Sequence, residues 1–366
     1  MNKDTIRVCH VVNSVGPTSI PADIAIELQQ STNIQVGILS WFDITEFENM
    51  ECIEVHSANP PQTTIGINRS TAIRVHDIFT EYDIIHTHHP HSGSLSKLLA
   101  LHADNKIITT EHNNHKAYSR KGLVLNGLTN IIPDAVTCVS RSVYDSFQSW
   151  EKSIVNKGDV HVIYNGVKDV RLSLNTNWSA YDYCNISRDE YLIGIGAMHT
   201  EQKAHDVLIK AVAELLDKEY KVNLLITGTG PLQDSLKRLV VNEGIENNVH
   251  FLGLIDQNKL YRLLAELDVY SMPSRWEGYC VGVAEAMALG TPCVLSDIKT
   301  FKEVYDNCAL YHSVDNPCEL ASTIEQLLSD KNLRENLSMR ASELIRSQYN
   351  LNDVATQYES LYMDIC

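Results

Sequence analysis

The sequence is poor in basic charge. Its 366 residues carry 30 lysines and arginines against 46 aspartates and glutamates, a formal net charge of −16. A protein that binds nucleic acid in bulk shows the opposite sign, so no nucleic-acid partner is expected. The imbalance is uneven: residues 1–175 hold 14 basic and 18 acidic side chains, so most of the excess acid lies beyond them. The first half is therefore the one better suited to approach an anionic surface. The nine cysteines form no C-x-x-C pair. An odd, scattered count fits reduced thiols in a cytoplasmic protein, not a disulfide framework or a zinc site. The sequon at Asn177 carries no weight in that compartment. No stretch approaches the roughly 18 uninterrupted apolar residues of a membrane span. The N-terminus leads straight into an apolar strand pattern rather than a signal-peptide core.

What is present is alternation. At roughly 150 residues per domain the length suggests two domains, each able to bury its own core. Short β-rich runs alternate with helical patterns: Ile6–Val12, Val36–Trp41, Asp83–Thr87, Lys106–Thr110, Ala135–Val139 and His161–Tyr164 in the first half. Segments such as Ile20–Gln30 and Gly93–His102 lie between them. Residues 171–190 break the rhythm with Asn, Ser and Tyr and read as a linker. The pattern restarts with Tyr191–Ala197, Asn223–Thr227, Val249–Leu254, Asp268–Met272, Cys293–Ser296 and Ala309–Tyr311. This is an α/β chain of two doubly wound, Rossmann-like domains. The expected boundaries are 1–175 and 176–345, with a C-terminal helix over 346–366 packing back on the first domain. Ligands of such sheets bind at the carboxyl ends of the strands, so a cleft between the domains is the expected site.

The stretch from Pro273 to Pro292 concentrates the chemistry. A strand ends at Met272, a glycine-containing turn follows, and a helix runs to Leu289, closed by Gly290 and Pro292. The helix N-terminus offers free N–H groups and partial positive charge, which suits a phosphate without a metal. Glu277 in the turn and Glu285 in the helix can accept hydroxyl hydrogen bonds in pairs, as sugars and riboses require. A bare pair of glutamates is more simply a capping acid and a solvated helix acid.

The wider context resembles the family 4 glycosyltransferases of the GT-B fold, whose signature is E-x7-E. Four more blocks occur in the family's order. Ile163-Tyr-Asn-Gly-Val167 resembles its "NGV", and Lys203-Ala-His-Asp-Val-Leu-Ile209 its "KG-x-D-x-LI". Leu224-Leu-Ile-Thr-Gly-Thr-Gly-Pro-Leu232 is similar to its glycine-rich block, and Val249-His-Phe-Leu-Gly253 to the strand beside the donor base. The resemblance implies that Glu285 holds the donor ribose and that Glu277 contacts hydroxyls of the transferred sugar. It implies that backbone around Gly278, Tyr279, Cys280, Val281 and Gly282, with Gly228, meets the diphosphate and sugar. Lys203 would neutralise the diphosphate in place of a metal, and no convincing D-x-D metal motif is present. Two positions depart from the pattern: Met198 stands where the family has an arginine, and Ala204 where it has a glycine. Loss of one of two cations at a departing diphosphate costs several kcal/mol of transition-state stabilisation. His199 is one residue that could compensate.

In the first domain, Thr109-Thr-Glu-His-Asn113 resembles the family's "T-x-H", which implies that His112 sits near the reacting sugar and acceptor. Gly16, in the loop Asn13 to Gly16, is the match for a glycine loop facing the donor phosphates. The run His86-Thr-His-His-Pro-His91 tempts a metal reading, but neighbours in a strand alternate faces, so His86 and His88 do not readily share a site with His89. The family's "H-x-H" here implies that His88 faces the acceptor side. Lys116, Arg120 and Lys121 lie beside Leu123, Val124 and Leu125, so segment 116–125 suits either a half-solvated helix or the inner face of a membrane. The resemblance implies a retaining transfer from a nucleotide-sugar donor to a glycan or lipid-linked acceptor, with no metal or other cofactor. A nucleotide-sugar-binding protein without activity is the rival that Met198 and Ala204 leave open. An epimerase or phosphorylase of the same fold is a weaker one.

Overall fold

The computed structural model describes residues 5–16, 19–45, 50–61, 67–155, 159–168 and 177–366. The chain forms two compact units, Met1–Gly166 with Leu351–Cys366, and Val167–Asn350. The expected boundary at 175/176 lies outside the described residues, and so do positions 171–176 of the expected linker. The described remainder of that linker carries a short helix, Ala180–Cys184, tied down where Ala180 N donates to Glu266 at 2.8 Å. The return to the first unit falls at Leu351 instead of 346, because the helix Lys331–Gln348 belongs to the second unit.

The first unit is a seven-stranded sheet of β1 (Ile6–Val12), β2 (Ile34–Ser40), β3 (Glu54–Ser57), β4 (Ile84–Thr87), β5 (Lys106–Glu111), β6 (Ala135–Cys138) and β7 (Asp159–Val162). Its order is β3-β2-β1-β4-β5-β6-β7, and all its pairs are parallel. Strand β3 is absent from the sequence reading. It is four residues long, sits at the sheet edge and has no fully buried side chain, so it lacks the apolar run that marks a parallel strand.

One face of this sheet is covered by the helices Ile20–Leu28 and Leu351–Ile365. The second buries Leu351, Val354, Ala355, Tyr358, Leu361 and Tyr362, a stripe at three- and four-residue spacing. Each large aliphatic side chain so buried stabilises the unit by about 1.5–3 kcal/mol. Val8 and Val12 of β1, Ile84 of β4, Ile108 of β5 and Ala135 of β6 meet that stripe. The alternate residues Cys9, Val11, Ile85 and Ile107 build a separate core on the other face.

The second unit is a six-stranded sheet of β8 (Tyr191–Gly196), β9 (Val222–Thr227), β10 (Val249–Gly253), β11 (Val269–Met272), β12 (Cys293–Ser296) and β13 (Leu310–His312). Its order is β10-β9-β8-β11-β12-β13, again with parallel pairs. In both sheets the order reverses beside the first strand, between β1 and β4 and between β8 and β11. Such switch points leave a crevice at the carboxyl ends of the strands.

Candidate active site

In the second unit the crevice is walled by the loops after β8 and β11. The loop after β8 carries Lys203, which enters the helix His205–Asp217 through Ala204 in the left-handed region (φ 50°). The glycine of the family pattern thus has a conformational reason, and here alanine accepts the strain instead. The loop after β11 carries Ser274 and Glu277. Lys203 Nζ lies 2.6 Å from Glu277 Oε1, which also accepts from Ser274 Oγ at 2.7 Å, while Gln202 Nε2 donates to Oε2 at 3.1 Å. Glu277 is buried and Lys203 largely so. Burial works against the ammonium, but the neighbouring acid outweighs it and holds Lys203 above its ordinary range. Cys280 Sγ lies 3.8 Å from the same Nζ, and burial pushes its thiol up to about 12, so Glu277 carries the compensating charge. An ammonium has three donors, and the carboxylate takes one of them.

The helix Val281–Ala288 begins at Cys280, whose left-handed backbone (φ 73°) turns the chain sharply into the first turn. The carbonyls of Tyr279 and Cys280 both accept from the Tyr305 hydroxyl, at 3.2 and 3.1 Å. Tyr279 buries its ring against Tyr305 and Tyr349, so a ligand there meets its backbone and not its side chain. First-turn N–H groups beside an ammonium form an anion-binding arrangement. Gly282 lies so near Tyr270 that an added Cβ would stand 3.0 Å from its hydroxyl. In the loop after β9, Gly228 has φ 105°, and a Cβ there would lie 2.2 Å from the Ala197 carbonyl oxygen, so glycine alone fits. Glu285 is buried in the helix and accepts from the Tyr261 hydroxyl at 3.2 Å; Gln257 in turn donates to that hydroxyl at 2.7 Å.

Met198 is 64% exposed. His199 is buried and its pKa is lowered by burial, so it remains neutral at pH 7 and does not supply the missing positive charge.

In the first unit a cavity of about 540 Å³ is lined by residues that include Ser14, Gly16, Thr45, His89, His112 and Asn165. Gly16 and His112, singled out in the sequence, thus meet at one site. His88 is buried behind them and reaches His112 ring to ring, Nδ1 to Nε2 at 2.9 Å. It therefore contacts that site through His112. The sequence reading missed His10 and Tyr362, which continue the contact inward: His88 Nε2 lies 3.0 Å from His10 Nδ1, and His10 Nε2 3.1 Å from the Tyr362 hydroxyl. His10 is isolated in an apolar strand, and only the parallel register places it opposite His86. His89 instead starts the helix Pro90–Ala100.

The basic segment is anchored by a buried polar cluster. Glu111 accepts from Asn126 at 2.6 Å, Asn130 at 2.9 Å and Tyr118 at 2.9 Å, and His115 Nδ1 lies 2.9 Å from Glu151. These two carboxylates overcome burial and raise His115 to about 9. Burial does the opposite to His10, His86 and His88, and brings His10 to about 3. The signs follow from linkage. Stability due to protonated His115 is complete below the unfolded value near 6.5 and is lost as pH rises through about 9. The neutral histidines act in the opposite direction. Unfolding releases them to bind protons once pH falls below about 6.5, and each then removes up to about 1.4 kcal/mol per pH unit. The urea midpoint is expected to be higher at pH 7 than at either pH 5 or pH 9. A midpoint that climbs steadily from pH 5 to 9 would refute these assignments.

The chain is similar to known proteins. Residues 185–344 match the family model for glycosyl transferases group 1, and residues 22–171 match that for glycosyltransferase family 4. The O-antigen biosynthesis glycosyltransferase WclY of Escherichia coli is 26% identical, covering 98% of this chain and 99% of that protein. N-acetyl-alpha-D-glucosaminyl L-malate synthase of Bacillus anthracis is 28% identical over 77% of this chain and 75% of its own. The crystal structure of Anabaena HepE in complex with UDP and glucose has a TM-score of 0.79, at 18% identity over 98% of this chain and 100% of that one. At that identity the likeness speaks for the fold alone. Strand order, the two family matches and full-length similarity to WclY agree: this chain is a glycosyltransferase of the group 1 and family 4 type, with the GT-B fold.

Proposed function

We propose that the protein moves a hexose-type sugar from a nucleotide-sugar donor to a glycan or lipid-linked acceptor, with retention at the anomeric carbon and without a metal. The observation that carries this reading is the Lys203 ammonium, held 2.6 Å from buried Glu277 beside the first turn of Val281–Ala288. The diphosphate takes the free N–H groups and the remaining ammonium donors. Glu285 takes the ribose hydroxyls, and the Glu277 turn takes the sugar. The acceptor hydroxyl attacks from the face that the nucleoside diphosphate leaves, and the departing phosphate oxygen receives its proton. Protein groups position the reactants and stabilise charge. His112 lies near the reacting sugar and the acceptor, and the Gly16 loop faces the donor phosphates. A thermal-shift screen against nucleotide sugars tests the reading, because a specific ligand raises stability by mass action. A shift with one nucleoside family is expected, and no shift with any member of the panel would refute it.

A second reading is a nucleotide-sugar-binding protein without turnover. Exposed Met198 at the arginine position favours it.

We further propose that a lipid-linked acceptor is met at an anionic membrane surface through segment 116–125. Val124 and Leu125 are exposed next to exposed Lys116, Arg120 and Lys121, while the cluster around Glu111 holds the opposite side of the helix Arg120–Thr129. Apolar side chains ringed by cations bind anionic lipid. Flotation with phosphatidylglycerol vesicles is expected, weakened in Val124→Ser/Leu125→Ser. Absence of flotation at low salt would refute the contact.

A further inference from the structure

Behind His112 the first unit contains a continuous hydrogen-bonded line that no step of the transfer explains. Parallel register sets His10 of β1 opposite His86 of β4, and His88 follows two residues later on the same face. The contacts run in one sequence. His112 Nε2 meets His88 Nδ1 at 2.9 Å, His88 Nε2 meets His10 Nδ1 at 3.0 Å, and His10 Nε2 meets the Tyr362 hydroxyl at 3.1 Å. That hydroxyl lies 2.7 Å from His86 Nδ1, and His86 Nε2 lies 2.6 Å from Thr110 Oγ1.

Five links need five protons. His88, His10, His86 and Tyr362 each supply one when the imidazoles are neutral, and burial keeps all three neutral at pH 7. The fifth proton comes from one end, either His112 or Thr110. Every donor in the line then points the same way. The Thr110 end selects the direction. Its hydroxyl reaches Thr137 Oγ1 at 2.5 Å and the Tyr358 hydroxyl, which can donate to it in either case, at 3.2 Å, and Thr137 can donate onward to the Thr109 carbonyl at 3.4 Å. If Thr110 accepts from His86 and donates to Thr137, that last bond is kept. If Thr110 donates to His86, Thr137 must turn back to it and the bond is lost.

We propose that His88, His10, Tyr362, His86 and Thr110 are positioning residues that lock His112 in the Nε2–H tautomer. Nδ1, the His112 ring nitrogen outside the line, is then an acceptor for a sugar or acceptor hydroxyl. The role of His112 in this statement rests on the reading that places it near the reacting sugar and the acceptor. One nitrogen from each of His10, His86 and His88 also falls within 4.8 Å of the others, a spacing open to a transition metal. Both nitrogens of His86 are already hydrogen-bonded, and His10 and His88 share a proton, so the line accounts for the cluster without an ion.

Nitrogen-15 NMR of the full chain reads the tautomers directly. Wild-type His112 is expected as a single Nε2–H form at pH 7. Thr110→Val removes the acceptor at the far end, and the line is expected to reverse, giving His112 mainly as Nδ1–H although residue 110 does not touch it. Tyr362→Phe cuts the line and is expected to yield a mixture. Tyr358→Phe removes a hydroxyl 3.2 Å from Thr110 Oγ1 but leaves Thr137 to accept from Thr110, so the direction of the line and the His112 tautomer are expected to stay unchanged. A His112 tautomer that is unaltered in both Thr110→Val and Tyr362→Phe would overturn the proposal. So would a stoichiometric transition metal in the purified protein. Reversal accompanied by a two- to tenfold loss of turnover at constant donor KM supports both the line and the His112 reading. Reversal with full turnover supports the line and removes the His112 reading alone.

Discussion

Lys203→Ala is expected to lower turnover by about 10²–10³, the scale of removing one group aimed at developing transition-state charge. It also strands Glu277, which is buried and loses a charged partner at 2.6 Å. Breaking a buried pair from one side costs about 3–5 kcal/mol, because the remaining charge is uncompensated. Ser274 and Gln202 still donate to that carboxylate, which places the expected loss at the lower end. A second substitution separates the two effects. Glu277→Gln removes the stranded charge, so the double variant Lys203→Ala/Glu277→Gln is expected to recover most of the stability and none of the turnover. Urea midpoints and initial rates for the four proteins of the cycle measure this. Recovery of turnover together with stability would mean that Lys203 serves the fold and not the diphosphate.

Glu285→Ala is expected to weaken donor binding by at least about 100-fold. Two hydrogen bonds from ribose hydroxyls to one carboxylate are worth about 1.5–3 kcal/mol each, and alanine removes both. Calorimetric titration with the nucleoside diphosphate of the matching donor checks this. Unchanged affinity would remove the ribose role. Tyr261 donates to the same carboxylate from the helix Gln257–Glu266, so Tyr261→Phe is a milder test of its orientation.

Much of the fold was legible because buried parallel strands write themselves as apolar runs. Of the thirteen strands among the described residues, twelve were anticipated within two residues, and β3 was not, since a short polar edge strand leaves no such run. The grouping of the proposed donor-side residues was legible because they lie in blocks, with Glu277 to Glu285 in one loop and helix. Its internal pairing was not: Lys203 and Glu277 are 74 positions apart, and nothing local says that the two charges neutralise each other. The suggestion that His199 replaces the missing arginine fails on burial, which a sequence does not display at a single histidine. His10 and Tyr362 were illegible for a similar reason. They are 352 positions apart, one within a hydrophobic strand and one within a helical stripe, and both patterns read as plain core. Their polar atoms acquire meaning only through strand register and helix docking.

The central claim is transfer, and exposed Met198 at the arginine position makes turnover the quantity in question. The direct measurement is release of nucleoside diphosphate from the donor found by thermal shift, with and without glycan and lipid-linked acceptors, followed by proton NMR of the product's anomeric centre. Acceptor-stimulated release with the donor's anomeric configuration preserved is the expected result. Tight donor binding with no release under any acceptor, or a product of inverted configuration, would contradict it.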